Sequence, residues 1–361
     1  MRTLVLLIVF FWGFTFLLKS TAVRAWVTQR WLSLRSCLVS VCVLMVLASI
    51  FGSLLAACTE RVIFHDEPTV LTITAAFLHG QPVYPSKTDP VEYGLLYGPS
   101  LYLVYLPPMI AGADRVSEYQ LWVTVALVSS YIFLFLGLRR WGIVTALGGL
   151  ALVAVSVCIL SDVMWATKGD IWILFFSALG LWASFLQHKW QSVVLVAISG
   201  AALVDLKVTL IFIALLPAVL LWQRGRKTHL PALLSVALIP SLALLPFVLP
   251  HISITGYSQQ LQDAAHQGFS WFTLQDNLFF VFQISLPTLA LLWMISRKNA
   301  SQTRTWMERR RAFLLLLSAA VVTAILTGAK NGGGAMALHR LHLPFDTCEC
   351  RNVGDCFPTR Q

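Results

Sequence analysis

Charge is what this sequence has least of. Asp, Glu, Lys and Arg together make up 12% of its 361 residues, about half the share that a soluble domain carries. That excludes a chain built to be solvated on all sides. Strict apolar–polar alternation is also missing, which excludes a transmembrane barrel. No inverted repeat relates the two halves. Cysteine offers no metal framework. Cys37, Cys42, Cys58 and Cys158 lie in or beside apolar runs and read as small hydrophobes, while Cys348, Cys350 and Cys356 have a C-x-C-x5-C spacing that is not a zinc pattern.

Apolar residues are abundant: 58% of the chain, with a mean hydropathy of +0.76. Runs near the length needed to cross about 30 Å of hydrocarbon recur from end to end. The expected fold is therefore all-α, a polytopic transmembrane bundle of about nine or ten spanning helices with juxtamembrane helices in the first outer loop. The runs are Cys37–Ala57, Trp122–Leu138, Ile143–Leu160, Ile171–Gln187, Ser192–Val204, Val208–Trp222, Leu230–Pro250, Leu278–Ser296 and Ala312–Gly328, with Thr3–Leu18 as a further apolar segment. Thr3–Leu18 lacks a clean cleavage site, and the positive charge after it favours a helix whose N-terminus faces out.

Basic clusters at Lys19 to Arg35, Arg139-Arg140, Lys189, Arg224 to Lys227 and Arg297 to Arg311 fix the expected orientation, because cytoplasmic loops retain Lys and Arg. All fall inside only if Leu95–Ala111 does not cross. That run carries Pro99, Pro107 and Pro108 among Tyr97, Ser100, Tyr102 and Tyr105, a composition that suits an interfacial helix. The net charge of +10 then belongs to cytoplasmic loops, so nucleic acid is not an implied partner. Of the 16 acids, Glu60, Asp66, Glu67, Asp89, Glu92, Asp114, Glu118, Asp162, Asp170, Asp205, Asp263 and Asp276 fall outside or at the outer edge. Acids do little to set orientation, so this bias marks a carboxylate-rich outer face.

Within that face, His65-Asp66-Glu67-Pro68 stands before the apolar run Thr69 to Gly80. One reading is a helix start, with Asp66 or Glu67 as cap, Pro68 at the first helical position and Gly80 with Pro82 closing it. The other is a working carboxylate at the membrane surface. Further round lie Lys168-Gly169-Asp170 and Asp205-x-Lys207, ionisable groups between apolar runs that are costly there and hence functional candidates; a snorkelling ion pair is the plainer alternative for the second. The segment His251–Asn277 is polar and amphipathic, suited to the bilayer surface. Three divisions follow: residues 1–36, an apolar segment and basic loop; residues 37–334, the transmembrane domain with an outer loop at 58–119; and residues 335–361, a polar Cys-rich tail. The tail's composition belongs to nothing before it, and a reading frame lost near Gly334, leaving a truncated copy, is the expected explanation.

The order of these motifs resembles the GT-C glycosyltransferases, multi-spanning enzymes that use polyprenyl-phosphate sugars and include the aminoarabinose transferases and protein O-mannosyltransferases. HDEPTVLTITAAFLHGQPVYP is similar to the acidic motif and first juxtamembrane helix, and YGLLYGPSLYLVYLPP to the second. ATKGDIWILFFSALGLWAS is similar to a segment that often reads Arg-Pro-Asp in bacterial relatives, LVDLKVTLIFIALLPAVLL to a lysine-bearing helix start, and GAKNGGG to a glycine-rich outer loop. The resemblance covers roughly Cys37 to Gly334.

What it implies is transfer of a sugar from a polyprenyl-phosphate donor to a hydroxyl of a glycan, lipid or protein, at the outer face of a bacterial plasma membrane. Such a transfer needs a base for the acceptor proton and cations aimed at the leaving phosphate; inversion needs one carboxylate opposite the leaving group. Asp66 is expected as the base, with Glu67 orienting the acceptor or binding a metal. Lys168 and Lys207 would hold the phosphate, with Asp170 positioning its neighbours and Asp205 a further substrate-binding candidate. His79, Lys330 and Tyr97 complete the substrate-binding candidates, Tyr97 and Tyr102 doubling as interfacial anchors. A divalent metal is left open by the family, but consecutive residues cannot all face one ion from a regular helix. A flippase or transporter of lipid-linked sugar, and a non-catalytic membrane protein, are the competing expectations.

Overall fold

The computed structural model describes residues 31–59, 62–63, 67–85, 97–266, 268–279, 281–282, 305 and 307–329. Thr3–Leu18, most of Leu278–Ser296 and the tail from Lys330 onward lie outside the described residues. Among the described residues the regular elements are helices, joined by turns and short irregular segments.

The elements are α1 (Trp31–Cys58), α2 (Glu67–Leu78), α3 (Ser100–Leu103), α4 (Leu106–Ile110), α5 (Val116–Leu138), α6 (Ile143–Ile159), α7 (Ser161–Met164), α8 (Asp170–Ala183), α9 (Lys189–Leu206), α10 (Ile211–Trp222), α11 (His229–Ala243), α12 (Ile254–Ala265) and α13 (Arg311–Gly328). Among the described residues, five helical stretches are long and apolar enough to cross a membrane: Arg35–Cys58, Val116–Trp141, Lys189–Leu206, Arg226–Val248 and Arg311–Gly328. The others are shorter. The 14 residues of α8, at about 1.5 Å per residue, reach about 21 Å, less than the roughly 30 Å of a bilayer core.

Neighbouring helices pack in chain order around α5, α8 and α9. α1 lies against α5 and α6, α8 bridges α5 and α9, α9 meets α10 and α11, and α13 attaches through α10. Apolar burial does not by itself favour one helix pair over another in lipid, so close approach and polar links carry the packing. Gly180 and Gly200 supply the approach: a Cβ on Gly180 would lie 2.7 Å from Ser199 Oγ and 2.8 Å from Pro217 Cγ, and one on Gly200 2.7 Å from Ile239 Cδ1. The links are short buried bonds between α1 and α5, Ser49 Oγ with Tyr131 OH at 2.7 Å and Ser53 Oγ with Thr124 Oγ1 at 2.7 Å. Leu44, Leu47, Phe51 and Leu55 of α1, and Leu315, Val322 and Leu326 of α13, remain exposed, as a lipid-facing surface requires.

The two ends of the bundle differ in chemistry. At one, Arg140 stands 4.3 Å from the Phe185 ring, Arg224 Nη1 donates to the carbonyls of Ser184 (2.9 Å) and Leu186 (2.7 Å), and Arg310 Nη1 donates to Gln223 Oε1 at 2.6 Å. These residues come from the clusters that the charge pattern assigned to one side. The other end gathers the acid-bearing connections.

One expected element takes a different form. Leu95–Ala111 reads as a single surface helix, but its described part folds as α3 and α4, with Tyr102 and Tyr105 fully buried. The prolines explain the break. Pro99 occupies the cap of α3, and Pro107 and Pro108 open α4, where their missing N–H groups cost nothing. Tyr102 is therefore core and not an interfacial anchor.

Candidate functional site

The site is built on Glu67, the first residue of α2. The helix starts where Pro68 permits it and ends before Gly80, whose φ of +75° closes the turn. A side chain at that first position can reach back past its own helix. Glu67 Oε1 accepts the Ile63 N–H at 2.6 Å, while Oε2 accepts the Thr167 N–H at 2.9 Å and Gln120 Nε2 at 3.3 Å. Its exposure is 0%. Donors from three separate segments therefore satisfy one buried carboxylate, which is what its desolvation demands. The bond to Thr167 ties the acidic loop to the connection carrying Lys168 and Asp170.

That connection is irregular because it runs from the single turn of α7 into α8. Asp170 lies in the first turn of α8, where the helix dipole favours a negative charge. Lys168 is 8% exposed, and its carbonyl accepts the Tyr105 hydroxyl at 2.9 Å. Burial, followed by the nearby charges of Glu67 and Asp170, pushes the Tyr105 phenol well above its ordinary value; it is a fixed donor. Tyr97 lies within 3.4 Å of where a Gly169 Cβ would stand, so the glycine admits that ring.

Asp205 closes the other side of the end. At 4% exposure near the end of α9, its Oδ2 accepts both the Ser100 N–H at 2.9 Å and the Ser100 hydroxyl. It caps α3 from another helix, since Pro99 at the cap position has no side chain able to do so. Gly98 N donates to Leu206 O at 3.1 Å. A Cβ at Gly98 would fall 1.5 Å from Asp205 O, so only glycine fits this crossing. Lys207, at the C-cap of α9, is exposed.

The remaining candidates are more distant from this cluster in their bonding. His79 is exposed, with Nδ1 at 2.8 Å from Ala75 O in its own helix. Asp66 and Lys330 lie outside the described residues; in sequence Asp66 directly precedes Glu67. Among the described residues no three His, Cys, Asp or Glu side chains gather as a protein-only metal site would require.

Sequence reasoning missed several members. Gln120 falls between the outer loop at 58–119 and the apolar run from Trp122, yet α5 begins at Val116 and buries it; a lone amide just ahead of an apolar run was the signal. Ser100 and Thr167 bind carboxylates through backbone N–H groups, which no residue type reveals. Tyr84 packs against Tyr102 with ring centroids 6.3 Å apart and donates its hydroxyl to Tyr97 O at 3.0 Å. Compared with family models, curated proteins and solved structures, the chain matches none.

Proposed function

We propose that this chain is a membrane glycosyltransferase of the GT-C type, which moves a sugar from a polyprenyl-phosphate donor to a hydroxyl acceptor. The observation that carries the reading is the Glu67 bond to Thr167. It joins, at one end of an apolar helix bundle, the two segments whose residue types suit base and phosphate binding. In this reading Asp66 is the base. Its carboxylate takes the acceptor O–H proton, the acceptor oxygen bonds to the sugar C1, and the C1–O bond to phosphate breaks with its electron pair on the departing polyprenyl phosphate. Lys168 and Lys207 offset the charge gathering on that phosphate. Glu67, its oxygens already engaged by N–H donors, is a positioning residue that fixes the loop bearing Asp66. Asp170 and Asp205 organise the segments beside the lysines. Tyr97, His79 and Lys330 are assigned to the rim of the substrate path.

The finer membrane reading belongs to the same proposal: nine or ten crossings, counting the shorter helices, with this end facing the periplasm or exterior of a bacterial plasma membrane. The test supplies membranes carrying the full chain with radiolabelled polyprenyl-phosphate sugars and follows label into lipid, glycan or protein. Transfer that vanishes in Asp66→Asn, with insertion unchanged, is the expected result. An Asp66→Asn protein that transfers at the wild-type rate defeats the assignment.

A further inference from the structure

Buried polar atoms in native structures have partners, so one without a partner marks something missing. The Tyr257 hydroxyl is such an atom. Tyr257 stands on α12 with its ring 5.2 Å from Tyr84 and 5.5 Å from Phe247, and Tyr84 in turn meets Tyr102 edge-on. Asp205 is near enough for its charge to act on both Tyr257 and Tyr84. Both hydrogen bonds given to Asp205 land on Oδ2, and Oδ1 lies outside them. Burial first, and Asp205 second, push the Tyr257 phenol up to about 12, so it carries its proton at neutral pH. Burial and the neighbouring Tyr257 raise Tyr102 likewise.

We infer that Tyr257, Tyr102 and Asp205 form a subsite for the hydroxyl groups of a neutral pyranose ring. Protonated phenols offer donors and the carboxylate offers an acceptor. A sugar hydroxyl, which donates and accepts at once, answers both. A phosphate answers only the phenols and is repelled by Asp205. The rings of Tyr84 and Tyr102 are packed in the core, so the ligand meets hydroxyl edges and not aromatic faces. The choice of a sugar over other polyols rests on the transferase reading; the unpaired hydroxyl does not.

The experiment follows thermal unfolding of the purified full chain in detergent during titration with methyl α-D-mannopyranoside, methyl β-D-glucopyranoside or inorganic phosphate. At least one glycoside should stabilise the protein saturably, and any stabilisation by phosphate, which the lysines would hold, should be the same in Tyr257→Phe. Tyr257→Phe should weaken that glycoside about tenfold. Without sugar, its Tm should be unchanged or higher, because the substitution removes a buried group that had no partner. Three outcomes overturn the subsite: no glycoside stabilises the protein, the stabilisation survives Tyr257→Phe, or Tyr257→Phe lowers the sugar-free Tm. Tyr257-dependent glycoside binding by a chain that transfers no sugar from any polyprenyl donor refutes the transferase reading and leaves the subsite standing.

Discussion

Replacing Glu67 with Gln keeps the size of the side chain and removes its charge, which makes it the sharpest probe of the site. Among the described residues the carboxylate serves three donors: Ile63 N–H on Oε1, Thr167 N–H and Gln120 Nε2 on Oε2. An amide has one acceptor oxygen. Its NH2 must therefore face either the Ile63 N–H or the Thr167 and Gln120 donors, and the cheaper orientation sacrifices Ile63. A bond to a charged group contributes about 1.5–3 kcal/mol and a neutral one about 1. Loss of one bond and weakening of two then costs about 2–4 kcal/mol, roughly a 30- to 1,000-fold fall in the folded-to-unfolded ratio. Reversible unfolding in mixed detergent micelles measures it. Amide hydrogen exchange at Ile63 and Thr167 should quicken in the same variant, because the Ile63 N–H loses its acceptor and the Thr167 N–H keeps only a weaker, neutral one. A Glu67→Gln protein within about 0.5 kcal/mol of wild type, with both amides still protected, would refute the claim that this carboxylate binds the three segments together.

Further expectations follow from the neighbouring geometry. Gly98→Ala places a Cβ 1.5 Å from the Asp205 carbonyl oxygen; backbone cannot yield by that much, so the variant should fail to accumulate as folded protein on a fluorescence-detected sizing column. Ser100→Ala removes the hydroxyl bond to the Asp205 carboxylate but keeps the N–H bond, and should cost about 1.5–3 kcal/mol in the same unfolding assay. Gly200→Leu must displace Ile239 and the Ala214 carbonyl, and should destabilise the α9–α10–α11 packing by about 1–3 kcal/mol. Tyr131→Phe breaks the bond to Ser49 and should lower the Tm of the bundle with no change in sugar binding.

The helices were the legible part of this fold, because their signal is local. α6 and α13 match the apolar runs Ile143–Leu160 and Ala312–Gly328 to within a residue, since glycine at one start and basic residues at the other interrupt hydropathy sharply. α5 was read six residues short because Tyr119 and Gln120 look like loop residues, though both are buried. The gathering of the acid-bearing connections at one end was also legible, since charge distribution around the runs encodes it. The wiring of that end was not. Glu67 and Asp205 are held largely by backbone N–H groups, and those are the same in every residue type. The break of Leu95–Ala111 into two turns was legible in its prolines. Burial of its tyrosines was not, because Tyr serves an interface or a core equally well and only the packing against Tyr84, Tyr119 and Trp172 decides between them.

The burial of Glu67 and Tyr105, both 0% exposed, has an electrostatic consequence. The Glu67–Thr167 and Tyr105–Lys168 bonds replace water that the packed interior excludes. In so weakly polarisable a medium a charge is felt much further than at a surface, and dissolved salt, which screens exposed charges beyond about 8 Å, does not reach it. The clasp around Glu67 should therefore hold equally well in dilute buffer and in molar salt, while the arginine contacts at the opposite end loosen.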